Sequence, residues 1–217
     1  LQHCTYYFFS RVCENPHKYE KGRPITQMIF YVWTYLRVAE AQHWSIPVDL
    51  KVAPKIDVII PTGAMGNVTA GFLTQSMGLP IRKFVTAANV NDITHKAIQT
   101  GAFHKAPELL PTLSEAINIQ VPYNFERILY YLTNDAERIK SWYDEMATTG
   151  KIDLDSITHA KLQEIFSSAR VTDDQMKEAM QTTHKTYSYL ADPNTAIALS
   201  AAYQLDYLPS TDVTVAL

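Results

Sequence analysis

Residues 55–71 read KIDVIIPTGAMGNVTAG, and the fold follows from how that stretch divides. Ile56, Val58, Ile59 and Ile60 form a β-branched run between Pro54 and Pro61. A short apolar run bounded by turn residues reads as a buried strand. Pro61-Thr62-Gly63-Ala64-Met65-Gly66-Asn67 is then a turn, and Val68, Phe72, Gln75 and Ser76 lie on a helical stretch that stops near Gly78. Strand, glycine-bearing turn and helix is a geometry that offers free backbone N–H groups to an anion. The first helical turn has unpaired donors, and the helix dipole favours negative charge there. Gly63 and Gly66 remove side chains where a phosphate needs close approach, and Thr62 and Asn67 can add side-chain donors. By spacing alone a plain strand-to-helix connection is the commoner outcome, because two glycines in such a turn are ordinary. The stretch matches neither the dinucleotide fingerprint nor the P-loop: it lacks a third glycine at the right offset and a Gly-Lys-Ser/Thr.

The residues themselves carry a resemblance. Pro61 to Asn67, followed by Ala70-Gly71, is similar to the phosphate loop of the threonine synthase family, pyridoxal-phosphate enzymes of fold type II. The likeness continues in order through Gly78-Leu79-Pro80-Ile81, Asn89-Val90-Asn91-Asp92-Ile93, Thr100-Gly101, the run IQVPYNFERI from Ile119 to Ile128, and Asp192-Pro193-Asn194-Thr195-Ala196. It extends from about Ile25 to about Leu205 and resembles the animal threonine synthase-like 2 branch.

That resemblance implies an α/β fold, an open parallel sheet flanked by helices, of which the chain supplies a C-terminal portion. It implies pyridoxal 5'-phosphate as cofactor, with its phosphate on Thr62, Gly63, Ala64, Met65, Gly66 and Asn67. It also places Asn124 and Arg127 near a phosphorylated hydroxy amino acid. Residues 25–217 would belong to this α/β domain and residues 1–24 to an irregular arm. Four departures stand out. Ahead of Ile25 the family usually has Asn-Ser-x-Asn-Trp, where this chain has Tyr19-Glu20-Lys21-Gly22-Arg23; the family usually has His at the position of Asn194. The Phe-Lys-Asp-type motif that carries the family's cofactor lysine does not occur, and the polar residue facing the pyridine nitrogen would follow Leu217. Lys55 stands at the opposite end of the strand from the loop and is no substitute.

Composition bounds the alternatives. A length of 217 residues suits one domain, or one domain with a lobe, and 47% hydrophobic residues suffice for a sizeable core. A net charge of −3 gives no reason to expect a nucleic acid or an anionic membrane as partner. Met28 to Leu36 is too short and too rich in tyrosine and tryptophan to span a membrane. No signal peptide is evident, which suggests the cytoplasm. Two cysteines, Cys4 and Cys13, make no disulfide framework and are expected as free thiols. With His3 they fit no common zinc spacing, so no metal site is expected.

Along the chain, Ile25 to Gln42 reads as an amphipathic helix with Ile25, Met28, Ile29, Val32, Leu36 and Ala39 inward. Arg82 to Ala88 is a second strand, completing a right-handed parallel unit. Asn91 or Asp92 caps a helix from Ile93 to Thr100 that Gly101 stops. Asn89 and Asn91, at a strand's carboxyl end, suit turns and ligand binding alike. A long helix is expected over Phe125–Ala147 behind Asn124. Two more are expected over Asp153–Ala169 and Thr172–Tyr189, the second with a capping-box-like start at Thr172-Asp173-Asp174-Gln175. Asp192-Pro193-Asn194-Thr195 then opens a helix over Ala196–Leu205, and Val213–Leu217 is a last strand. Arg127 falls in a first helical turn, where a cation is unfavourable unless it meets an anion. Glu126, Asp135 or a phosphorylated substrate could each supply one. His159 and His184 read as packing or surface histidines.

Two functional readings result. In one the chain is part of a pyridoxal-phosphate phospho-lyase of the threonine synthase type, inactive alone. In the other it is a non-catalytic, cytokine-like secreted short product, a form known in the animal threonine synthase-like 2 family. That product would act by binding a receptor or by forming a homodimer.

Overall fold

The computed structural model describes residues 19–47, 49–207 and 213–217, with side chains from Gly22 onward. His3, Cys4, Cys13 and residues 1–18 of the expected arm lie outside them.

Helix α1 (Tyr19–Ala41) leads into strand β1 (Ile56–Pro61), helix α2 (Gly66–Ser76) and strand β2 (Ile81–Ala88). Helix α3 (Ile93–Thr100), strand β3 (Ala102–His104), helices α4 (Phe125–Thr133) and α5 (Ala136–Thr149) and strand β4 (Lys151–Asp153) follow. Then come helix α6 (Ser156–Ile165), strand β5 (Phe166–Arg170), helices α7 (Asp173–Tyr187) and α8 (Pro193–Gln204) and strand β6 (Thr214–Ala216). Strands β5, β2, β1 and β6 pair in that order, all parallel, while β3 and β4 make a separate antiparallel ribbon. The open parallel sheet flanked by helices is therefore as expected.

Alternation along the strands builds a core on each sheet face. Val58, Ile60 and Phe84 pack with Tyr31, Tyr35 and Phe166 beneath α1 and α2. Ile59, Val85 and Ala87 pack on the other face with Ile197, Ala198 and Ala201 of α8. Gly71 is required where α2 crosses the sheet. A Cβ there would lie 2.7 Å from Phe84 Cε1 and 2.7 Å from Tyr31 Cε1.

Several expected elements shift, each for a local reason. Helix α1 starts at Tyr19 and takes Pro24 inside it. Its inward side chains are Tyr31, Tyr35 and Ala39, while Ile25, Ile29, Val32 and Leu36 are exposed. Of the expected stripe, Ala39 is inward and Met28 packs against the core, while the other four positions give way to Tyr31 and Tyr35. The single helix over Phe125–Ala147 is two, because Asn134 turns left-handed (φ 51°) and Asp135 restarts the helix by accepting from Arg138 N. The helix over Asp153–Ala169 ends at Ile165. Phe166–Arg170 is instead an edge strand of the main sheet, held by pairing with Phe84–Ala88. Asp92 is the N-cap of α3 but makes no side-chain cap bond; it pairs with Lys96 at 2.9 Å and Arg170 at 3.1 Å.

Other start signals act as read. Thr172 and Gln175 form a capping box on α7. Asp192 accepts from Asn194 N and Thr195 N at the start of α8, with Pro193 in the first turn. Hydrogen bonding, first from the Thr195 hydroxyl, holds the Asp192 carboxyl below its usual range. Its stabilisation is therefore present above the unfolded-state pKa and is lost as pH falls through the folded one. Asp192→Ala is expected to cost about 1 kcal/mol at pH 7, with the gap from wild type closing below about pH 3.9. Urea unfolding at pH 7 and pH 3 checks this; a gap that does not change with pH contradicts it.

Candidate functional site: a cleft at the carboxyl end of β1

The loop between β1 and α2 leaves the sheet at its carboxyl edge, where open parallel sheets place ligands. Thr62 N still belongs to the sheet, donating to Ala87 O at 2.8 Å. The Thr62 hydroxyl donates to Ile60 O at 2.7 Å. The donor role expected of that hydroxyl is taken up by the end of β1, so Thr62 fixes the loop's departure. Met65 then turns left-handed (φ 61°) as the N-cap of α2 and offers no side-chain cap. The first-turn amides of Gly66, Asn67 and Val68 accordingly have no intrahelical acceptor and face out of the helix end.

Two side chains from distant elements hold this turn. Tyr31 of α1 is 2% exposed and donates its hydroxyl to Asn67 O at 2.9 Å and Asn67 Oδ1 at 2.8 Å. Burial pushes the Tyr31 phenol well above its usual pKa, so it stays a donor. Asn124 was expected to cap the following helix. It makes no side-chain cap bond, and its Nδ2 donates to Ala64 O at 2.8 Å.

A cleft of about 420 Å³ opens beside the loop. Pro61 to Val68, Asn124 and Arg127 line it, as do Arg23 and Gln27 from α1 and Ile117 and Ile119 opposite. All eight sequence-predicted residues, Thr62 to Asn67 with Asn124 and Arg127, therefore meet in one place. Arg23 and Gln27 were missed. Their signal was present in the spacing: with Tyr31, Tyr35 and Ala39 they fall at every fourth residue of α1.

The far wall is positioned by a buried polar cluster. Asn118 Oδ1 accepts from Asn89 Nδ2 (2.8 Å), Asn91 Nδ2 (3.1 Å) and the Thr112 hydroxyl (2.7 Å). Asn89 Nδ2 also reaches the hydroxyls of Thr112 and Ser114. Asn89 and Asn91 thus tether the 110–118 segment to the end of β2, and that segment carries Ile117 to the cleft. His159 packs internally, its Nε2 2.9 Å from Ile98 O, and His184 is exposed in the last turn of α7. Among the described residues there is no metal-ligating cluster, and no helix is long and apolar enough to cross a membrane.

The residues present fit a phosphate: an open helix N-terminus, two glycines beside it, and the arginines Arg23 and Arg127 in the lining. None of the described cleft residues is a lysine.

No family model matches the chain. It is 33% identical to human threonine synthase-like 2 over 184 residues, covering 84% of this chain and 37% of that protein. Yeast threonine synthase superposes with a TM-score of 0.79 at 26% identity, over 89% of this chain and 39% of that one. The pyridoxal-phosphate-bound threonine synthase of Brucella melitensis gives 0.77 at 26% identity, over 90% and 39%. The fold is that of the fold type II pyridoxal-phosphate threonine synthases. The chain belongs to the threonine synthase family, and spans about 37% of the length of the curated relatives it matches.

Proposed function

We propose that the chain carries the phosphate-holding, C-terminal part of a threonine synthase-like pyridoxal-phosphate enzyme, a phospho-lyase on O-phosphorylated hydroxy amino acids, and that it is inactive alone. The observation that carries this reading is the cleft at the carboxyl end of β1, where the open first turn of α2 meets Arg23 and Arg127. In this reading the cofactor's phosphate sits on the loop Thr62 to Asn67, with Gly63 and Gly66 allowing its approach. Asn124 keeps the loop closed on Ala64, and Arg127 serves the substrate end. Pyridoxal phosphate, when bound, supplies an electron sink. The residues here orient its phosphate and exclude water behind Ile117 and Ile119.

Partial status is supported by the exposed apolar stripe on α1. Ile29 is 66% and Trp33 61% exposed, and Met77 beside them is 78% exposed. An apolar patch of that kind marks a contact surface, and the remainder of a threonine synthase-type fold would cover it. The reading goes with a cytoplasmic protein; the relatives, synthases and synthase-like proteins, lend nothing to the secreted one.

The test is a titration of the purified chain with pyridoxal phosphate and, separately, with pyridoxal, then borohydride reduction and peptide mapping. Binding is expected to need the phosphate and to be displaced by inorganic phosphate, with no single lysine labelled. Equal binding of the two compounds would sink the cradle. Labelling of one lysine would sink the claim of inactivity alone.

A further inference from the structure

The inward stripe of α1 changes character along its length. Ala39, Tyr35 and Tyr31 are 1–2% exposed and pack in the core. Each lies four residues from the next, so they stack on one helix face. One further step reaches Gln27 and another Arg23, and both line the cleft. The face that is core at one end of the helix is polar where it meets the loop. A polar residue on a packing face calls for a partner. Gln27 Oε1 is buried and has no hydrogen-bond partner among the described residues. It lies 3.8 Å from where a Cβ on Gly66 would stand, and Asn124 Nδ2 lies 3.5 Å from the same point.

The two ends of a glutamine amide have the same shape and exchange places by rotation about the last side-chain bond. Turned over, the amide brings Nε2 to the buried position beside Gly66, next to the first-turn amides of α2.

We propose that Gln27 is a ligand-contacting residue of the cleft, donating an Nε2–H to a phosphate oxygen of a phosphate ester held on the first turn of α2. Arg23, one turn earlier on the same face, adds positive charge at the cleft mouth. This deepens the preceding section and rests on its reading that the cleft takes a phosphate ester. Helix α1 is then part of the binding site as well as a cover for the sheet. With the amide turned, the buried atom is a donor, and a phosphate oxygen supplies the acceptor it needs.

The test uses the full chain and two variants of matched length. Gln27→Glu keeps the shape but replaces the donor with a carboxylate that repels phosphate. Gln27→Met removes both polar atoms. Affinities for pyridoxal phosphate, pyridoxal and inorganic phosphate are measured by calorimetry at pH 8. Amide shifts of Gly66 and Asn67 are followed by NMR, and melting temperatures are recorded without ligand. Gln27→Glu is expected to weaken pyridoxal phosphate and inorganic phosphate at least tenfold and Gln27→Met several-fold, with pyridoxal unaffected. Gln27→Met should melt at or above wild type, because it removes a buried acceptor that has no partner. A residue with only a packing role would lose melting temperature instead. Wild-type phosphate affinity in both variants, or in Gln27→Met alone if Gln27→Glu does not fold, overturns the assignment and leaves the cleft reading standing. No phosphate-dependent binding by the wild-type chain overturns both.

Discussion

Phe84→Ala is expected to lose about 3–5 kcal/mol of folding free energy, the range for removing a fully buried phenylalanine. The ring is 0% exposed and sits where four elements meet. It stacks on Phe166 of β5 at 5.7 Å between centroids and meets Tyr31 of α1 edge-on at 6.3 Å. Gly71 of α2 lies against it so closely that no Cβ fits between them. A cavity here cannot collapse easily, because the strand that carries the ring is hydrogen-bonded on both sides, to β1 and β5. The cost therefore belongs at the upper part of the range. The change also reaches the cleft. Tyr31 is the residue that ties down Asn67, and without the Phe84 ring its own ring loses one wall. Urea unfolding should show a lower midpoint at unchanged slope, and phosphate affinity should fall in the fraction that stays folded. A loss below about 1.5 kcal/mol, the scale of a volume-conserving core swap, would mean that the aromatic cluster is not the keystone of this face.

That cluster also shows what the sequence could and could not disclose. The strand at Ile56–Pro61 and the loop after it were legible because β-branched residues, prolines and glycines act locally. So were the Thr172 and Asp192 caps, whose partners lie within three residues. Strand β5 was not legible. Phe166-Ser167-Ser168-Ala169-Arg170 has no strong strand composition, and it is extended because the free edge of β2 offers it hydrogen bonds. Nor was the packing face of α1. The helix carries two apolar stripes, and sequence periodicity cannot say which one the sheet takes. The tyrosines won because their hydroxyls reach acceptors at depth, Asn67 and Pro54 O, while their rings fill the core. Choosing the other stripe hid Arg23 and Gln27, which lie on the tyrosine side. The family resemblance named the eight residues Thr62 to Asn67, Asn124 and Arg127, which the structure gathers around one cleft; periodicity alone would have stopped at the glycines.

Gly63→Ala is expected to cost about 1–3 kcal/mol, as overpacking does, and to weaken phosphate binding at the same time. Replacing glycine at a position without a positive φ ordinarily stabilises by about 0.4–1 kcal/mol, by limiting the unfolded chain. Gly63 has no such φ, so space alone decides the outcome. An added Cβ would stand 2.9 Å from Ile117 Cα and 2.9 Å from Ile119 Cγ1. The Ile119 side chain can rotate aside. The Ile117 backbone cannot, because Asn118 next to it is held by Asn89, Asn91 and Thr112. Either the loop or the tethered wall must move, and both border the cleft. Gly66→Ala is the internal comparison. Its Cβ would meet Asn124 Nδ2 at 3.5 Å, an ordinary contact, so stability should stay near wild type while the methyl group intrudes beside the anion position. Thermal melts should therefore separate the two alanines, and phosphate titrations should find both weakened. Equal melting temperatures would show that the 110–118 wall yields freely, and wild-type affinity in both would place the anion away from these glycines.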